Sequence, residues 1–194
     1  MSTAPVALIL GAGANVGQNV ARAFLAKGYK TVLASRSLKE EDSTSSQINI
    51  RSDFSDPESV AQVFSKVQST LGHPHVVVYN GMPHATPPRQ CIITNSFLAA
   101  AAVTPGDAKD PLALDLDKFS RDLAINTTSA FAAAQQAAGA FAKLPETASR
   151  TFIYTGNITN VTAFPALLDL GVGKSATAHI VECAAEGYKE KGFK

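Results

Sequence analysis

Gly173-Lys174-Ser175, opening an alanine-rich run, has the residue types with which a nucleotide-phosphate loop ends. That chemistry needs a glycine five residues before Gly173, and it needs the loop to follow the first strand. Position 168 is leucine, and the motif follows the fifth strand candidate. The phosphate-loop reading therefore falls, and Lys174 stands as a lysine near the start of a helix expected over about residues 173–190.

A stronger signal lies near the N-terminus. "VALILGAGANVGQNVARAF" reads as strand, tight glycine turn and helix. In that setting glycine lets the backbone approach a pyrophosphate, and the helix start supplies unpaired N–H groups and a positive dipole. Gly11 begins the turn, Gly13, Asn15 and Val16 follow in it, and Gly17 lets the helix pack closely on the strand. The second strand ends in "LASRS", without the acid that would hold a ribose 2′-hydroxyl. Ser35 and Arg36 stand there instead. A guanidinium suits a 2′-phosphate through charge-assisted bonds, which favours NADP (NADPH) over NAD.

The elements that must position these residues alternate along the chain. Short apolar runs are expected as strands at 6–10, 31–34, 48–51, 76–79 and 151–155, separated by helical patterns. Their near-continuous apolar character suits strands buried on both faces. The expected fold is α/β: one doubly wound parallel sheet, Rossmann-like, in three layers, over a single domain of residues 1–194. The first helix is expected from about Asn15 to Lys27, ended by Gly28. The second starts at Asp56-Pro57-Glu58, carries the stripe Val60, Val63, Phe64, Val67 and Leu71, and stops at Gly72. A long helix is expected from about Leu116 to Lys143. Between Pro83 and Pro111 lies an irregular insertion without periodicity.

The totals exclude several classes. A net charge of +1 with scattered charges gives no basic footprint for nucleic acid or a membrane surface. No apolar run approaches the ~20 residues of a membrane span. Cys91 and Cys183 form neither a disulfide framework nor, with His73, His75, His84 and His179, a metal-ligand spacing. No metal is expected, and the chain reads as cytoplasmic.

With these residues in hand, the chain resembles the short-chain dehydrogenase/reductase family over nearly its whole length. The family's Thr-Gly-x-x-x-Gly-x-Gly is similar to "LGAGANVG", with Leu10 for the threonine and Asn15 for the middle glycine. Asparagine is the next best residue for a left-handed backbone, so that exchange is tolerable. "SDFSD" looks like the segment beside the adenine, which gives Asp53 and Phe54. "VVVYNGM" resembles Asn-Asn-Ala-Gly, which gives Asn80 and Gly81. "LAINTTSAF" puts Asn126 at the family's asparagine in the long helix, in a run poor for mid-helix, where a functional kink is expected.

Lys174 is similar to the lysine of the family's Tyr-x-x-x-Lys pair, but Leu170 stands in the tyrosine's place. The serine, about a dozen residues earlier, is replaced by Asn157 or Ile158. The resemblance implies hydride transfer between the coenzyme and a carbonyl or alcohol, with Lys174, Asn126 and Asn157 left as catalytic candidates. A leucine transfers no proton, so a non-catalytic dinucleotide-binding sensor or scaffold is the alternative. Tyr154 is a weak substitute acid, expected to be a buried or edge aromatic. His179 is expected to be packed or at the surface, and Cys183 a buried small apolar residue.

The resemblance also implies a homodimer or homotetramer through the alanine-rich helix. The chain runs short of the family fold's last strands. The apolar edge left at "TFIYT" is expected to be covered by the segment around Ile92 to Val103 or by a partner subunit.

Overall fold

Strand 1 (β1, Val6–Leu10) is apolar throughout and buried at every position, as a central strand between two helical layers must be. In the computed structural model, which describes residues 4–13, 15–81 and 103–194, it lies at the centre of a five-stranded parallel sheet. The others are β2 (Lys30–Ser35), β3 (Gln47–Arg51), β4 (Val76–Tyr79) and β5 (Thr151–Tyr154), in the order β3-β2-β1-β4-β5. After β3 the chain crosses back to pair β4 on the other side of β1. The C-terminal ends of β1 and β4 therefore flank the switch point where open α/β sheets bind ligands.

The two faces of the sheet bury alternate residues. Ala7, Ile9, Leu33 and Val78 pack with Ala21, Val20 and Phe24 of helix α1 (Val16–Ala26). Leu8, Leu10, Val32 and Tyr79 pack with α2 (Glu58–Leu71) and α4 (Ser129–Phe141). The expected stripe of α2 is there: Val60, Val63, Phe64 and Val67 are buried, and Leu71 lies against the same cluster. The Asp56 carboxylate accepts the Glu58 N–H at 3.0 Å, as an N-capping side chain does. Gly28 and Gly72 close α1 and α2 with φ of 81° and 86°.

The long helix is not continuous. α3 (Leu116–Leu123) passes into α4 through a π-helical turn, Ala124–Thr128, at the expected kink. A wide turn disturbs the i to i−4 ladder, and buried carbonyls must then find other donors. Tyr79 Oη donates to the Ile125 carbonyl at 2.7 Å, and Thr177 Oγ1 donates to the Asn126 carbonyl at 2.6 Å.

Several expectations are corrected. The last helix, α5 (Leu168–Gly187), begins five residues before Gly173, so Gly173-Lys174-Ser175 lies inside it and is no helix start. Gly173 has a packing reason instead. A Cβ there would stand 2.6 Å from Asn126 Cβ, so α5 crosses the π turn where it has no side chain. Asn15 has φ −87°, outside the left-handed region, so its exchange for glycine carries no strain. β5 is only half-buried, with Ile153 exposed, unlike the inner strands β1, β2 and β4. Cys183 is exposed, 3.5 Å from His179 Nε2, because α5 turns that face away from the sheet.

The open edge of β5 is met by the C-terminal residues. Lys194 donates to Arg150 O at 2.9 Å and accepts from Phe152 N at 2.8 Å, the pattern of a parallel pair. Phe193 stacks edge-on against Phe141 and tilts against Tyr188. Of the segment expected to cover this edge, residues 92–102 lie outside the described residues, as does most of the 83–111 insertion. Among the described residues, no helix is long and apolar enough to cross a membrane.

Placing a methyl group between α5 and the π turn tests this packing. Gly173→Ala is expected to lower stability by about 1–3 kcal/mol in urea unfolding. An unchanged midpoint contradicts the close crossing.

Candidate functional site

The glycine turn is built against the end of β4. Gly11 has φ 80°, and a Cβ there would lie 1.9 Å from the Asn80 carbonyl oxygen. Only glycine fits that conformation and that space. The N–H groups of Gly11 and Ala12 both donate to Ala34 O, at 2.9 and 3.1 Å, which folds the turn over the end of β2. Gly17 is equally constrained, since its Cβ would stand 2.4 Å from Ala12 Cα. Two of the glycines read as a phosphate grip are thus fixed by backbone approaching backbone.

Asn80 is fully buried and serves three strands. Its amide nitrogen donates to Gly11 O at 2.9 Å, and its side-chain oxygen accepts from Thr155 Oγ1 at 3.0 Å. Thr155 follows β5, and its carbonyl accepts from Lys174 Nζ at 2.9 Å. A continuous path of hydrogen bonds therefore runs from α5 through β5 and β4 to the turn after β1. Thr155 was not among the residues singled out from the sequence. Its signal was its place as the last residue of the strand expected over 151–155.

Lys174 is 1% exposed. Burial is the cause that brings its ammonium down from the usual lysine range to about 8. Its Nζ also stands 4.8 Å from the centre of the Tyr154 ring, a cation–π contact. Tyr154 is thus the half-buried aromatic expected, and burial drives its phenol far above neutral pH. That argues against it as a proton donor. Leu170, one turn before Lys174, is 1% exposed.

Asn126 is buried at the π turn beneath Gly173. Asn157 is half-buried, and its side-chain oxygen accepts from Thr159 N at 2.9 Å and from Thr159 Oγ1, capping a single 3₁₀ turn. That commits the oxygen and leaves the amide nitrogen as the side chain's donor.

The outer part of the candidate site is arranged along the ends of β2 and β3. Arg36 is exposed, and Ser35 Oγ is buried without a hydrogen-bond partner among the described residues. Ser52 Oγ, at the end of β3, is in the same state. Asp53 is exposed and holds Ser55 N at 3.0 Å. Phe54 faces the core instead, 6.0 Å from Tyr79, with its carbonyl accepting from Ser129 Oγ. Gly13 and Val16 are partly open at the start of α1, and Gly81 is buried against Tyr79. Among the described residues, no cluster of His, Cys, Asp or Glu has the makings of a metal site. His84 and Cys91 lie outside the described residues.

These features suit a dinucleotide on observations of the molecule itself. A turn whose Gly11 and Gly17 have no room for a Cβ meets a helix start, orphaned hydroxyls stand at the ends of β2 and β3, and a buried lysine joins the same hydrogen-bonded frame.

Comparison with known proteins agrees. A family model described as short chain dehydrogenase matches residues 5–193. The short chain dehydrogenase/reductase dmxR12 of Cryptosporiopsis sp. (strain 8999) is 47% identical over 192 residues, spanning 99% of this chain and 74% of that protein. Among solved structures, a 3-oxoacyl-(acyl-carrier protein) reductase from Brucella melitensis superposes with a TM-score of 0.77. It has 21% identity and covers 98% of this chain and 72% of that one. A short-chain type dehydrogenase/reductase from Mycobacterium marinum gives a TM-score of 0.75 at 21% identity, covering 100% and 73%. The two structures speak to the fold alone; the family model and the close relative carry the assignment. The chain belongs to the short-chain dehydrogenase/reductase family of oxidoreductases.

Proposed function

We propose that this chain binds NADP(H) at the switch point and acts as an oxidoreductase on a carbonyl or alcohol substrate. The observation that carries the reading is the hydrogen-bonded path from the Gly11 turn through Asn80 and Thr155 to Lys174. It ties the glycine turn, the proposed diphosphate grip, to the Lys174 ammonium, the proposed ribose contact. Gly11 and Gly13 shape the turn, their own N–H groups being spent on Ala34 O and Gly11 O, while the main-chain N–H groups of Asn15, Val16 and Gly17 at the start of α1 would meet the diphosphate. Arg36, with Ser35, meets a 2′-phosphate, and no acid stands there to repel it. Exposed Asp53, with the main chain of Asn80 and Gly81, would border the adenosine half, while Phe54 stays in the core. A Brucella melitensis reductase of the same fold was solved in complex with NAD, which suits a nicotinamide dinucleotide without choosing its form.

The coenzyme, when bound, supplies the hydride chemistry. Lys174, whose ammonium donates to the Thr155 carbonyl at 2.9 Å, would hold the nicotinamide ribose. Asn157 offers an amide N–H to a substrate oxygen. Asn126 sets the π turn on which α5 rests. What this set lacks is a proton donor one turn before Lys174, where buried Leu170 stands. A positioned acid contributes about 10²–10⁴ in rate. That observation favours the second reading, a dinucleotide-binding protein with no turnover that serves as a sensor or scaffold.

Three measurements check these assignments. NADPH is expected to bind more tightly than NADH in a fluorescence titration, and Arg36→Ala to weaken NADPH about tenfold or more while sparing NADH. Equal losses for both coenzymes contradict the role of Arg36. In an NADPH-dependent carbonyl-reduction screen, Leu170→Tyr is expected to raise turnover by about 10². Wild-type turnover undiminished by Lys174→Ala contradicts the catalytic assignment of the lysine.

The third concerns charge. The folded lysine loses its proton at about 8, the unfolded one at 10.5. The unfolded chain therefore binds more protons in that window, and stability rises with pH across it. Urea unfolding between about pH 7.5 and 9.5 is expected to show a rise that Lys174→Met lacks. Parallel profiles contradict a buried, charged lysine.

A further inference from the structure

We propose that Thr155 is a positioning residue for the coenzyme: its hydroxyl holds the Asn80 amide in the orientation that braces the Gly11 turn, so that losing this hydroxyl alone weakens NADPH and NADH alike. The inference deepens the coenzyme reading above and rests on it.

Asn80 has no second arrangement open to it. The residue is fully buried. Its main-chain N–H donates to Leu10 O at 2.8 Å, and its side-chain nitrogen donates to Gly11 O at 2.9 Å. A carbonyl oxygen only accepts, so the amide nitrogen must face Gly11. The amide oxygen is thereby turned to the end of β5, where Thr155 Oγ1 stands 3.0 Å away. Among the described residues, that hydroxyl is the donor the buried oxygen meets.

The hydroxyl is itself directed. It has one hydrogen to give and two acceptors in reach, Asn80 Oδ1 at 3.0 Å and Tyr79 O at 3.3 Å. Tyr79 O already accepts the Thr155 N–H at 3.1 Å. The shorter contact, to Asn80, takes the hydrogen. Branching at Cβ restricts χ1 and keeps Oγ1 in place. Lys174 Nζ uses the Thr155 carbonyl instead, at 2.9 Å. A change of side chain at this position therefore leaves the lysine its partner and removes only the brace.

Gly11 has no slack against Asn80, since a Cβ on the glycine would stand 1.9 Å from the Asn80 carbonyl oxygen. An amide oxygen stranded in the core regains a partner only by moving, and the turn moves with it. The N–H groups at the start of α1 then lose their aim. Both coenzymes carry the diphosphate, so both lose by the same factor. Arg36, by contrast, addresses only the 2′-phosphate.

The test compares Thr155→Val, which puts a methyl group in place of the hydroxyl, with Thr155→Ser, which keeps the hydroxyl. In fluorescence titrations Thr155→Val is expected to weaken NADPH and NADH equally, by about tenfold, and Thr155→Ser by less than about threefold. A second readout needs no coenzyme. The side-chain amide hydrogens of Asn80, followed by NMR, are expected to exchange slowly in the wild-type chain and in Thr155→Ser, and about tenfold faster in Thr155→Val. Full affinity in Thr155→Val, an equal loss in Thr155→Ser, or unchanged Asn80 exchange in Thr155→Val overturns the inference. So does a wild-type chain whose Asn80 side chain exchanges as fast as free asparagine, even if Thr155→Val does not fold. A wild-type chain that binds neither coenzyme overturns the reading on which this rests, and the Asn80 exchange then still decides the contact with Thr155.

Discussion

One path of hydrogen bonds, from Lys174 Nζ through Thr155 and Asn80 to the Gly11 carbonyl, joins the elements that make the crevice. It links a helix, two strand ends and a glycine turn that are far apart in sequence. Each partner is buried or half-buried, so losing one leaves another polar group unsatisfied at about 1–3 kcal/mol. The path also explains why so little freedom of residue type is left there. Gly11 lies against the Asn80 carbonyl, and Asn80 needs both its donor and its acceptor. A carboxylate or an apolar residue at that position could not serve β1 and β5 at once.

The π turn holds the second half of the crevice by a different means. Its irregular backbone exposes carbonyls inside the protein, and Tyr79 and Thr177 satisfy two of them from opposite sides. Tyr79 reaches it from β4 and Thr177 from α5, so the turn is fastened to both the sheet and the last helix. Lys174 is on the same helix as Thr177, and its position follows from that packing. The same helix carries Asp169 at its first turn, where the carboxylate accepts the Thr104 N–H at 2.7 Å, so α5 is held at two levels.

Much of the frame was legible in the sequence because the physics is local. VALIL and VVVY are apolar at every position, and both became central strands with unchanged limits. Asn126-Thr127-Thr128-Ser129 breaks helical propensity, and the break is a π turn. Gly28 and Gly72 were read as helix ends, and both have positive φ. What escaped the sequence depends on distant partners. Gly173 looked like a helix start, yet the reason for glycine is Asn126, in another helix. The terminal Lys194 pairs with the edge of β5, which no local pattern announces. Cys183 was expected inside by its type, but the orientation of α5 puts it outside. Thr155 carries no motif at all, and only the fold brings it to Asn80.

The central claim is that the turn from Gly11 to Gly17 grips a dinucleotide diphosphate while Asn80 braces it. The most direct measurement is the amide NMR spectrum of the isotope-labelled chain, titrated with NADPH. Saturable shifts concentrated at Gly11, Gly13, Asn15, Val16, Gly17 and Asn80, with smaller ones at Arg36, are the predicted result. A folded spectrum left unmoved at those amides by millimolar NADPH or NADH would contradict the account.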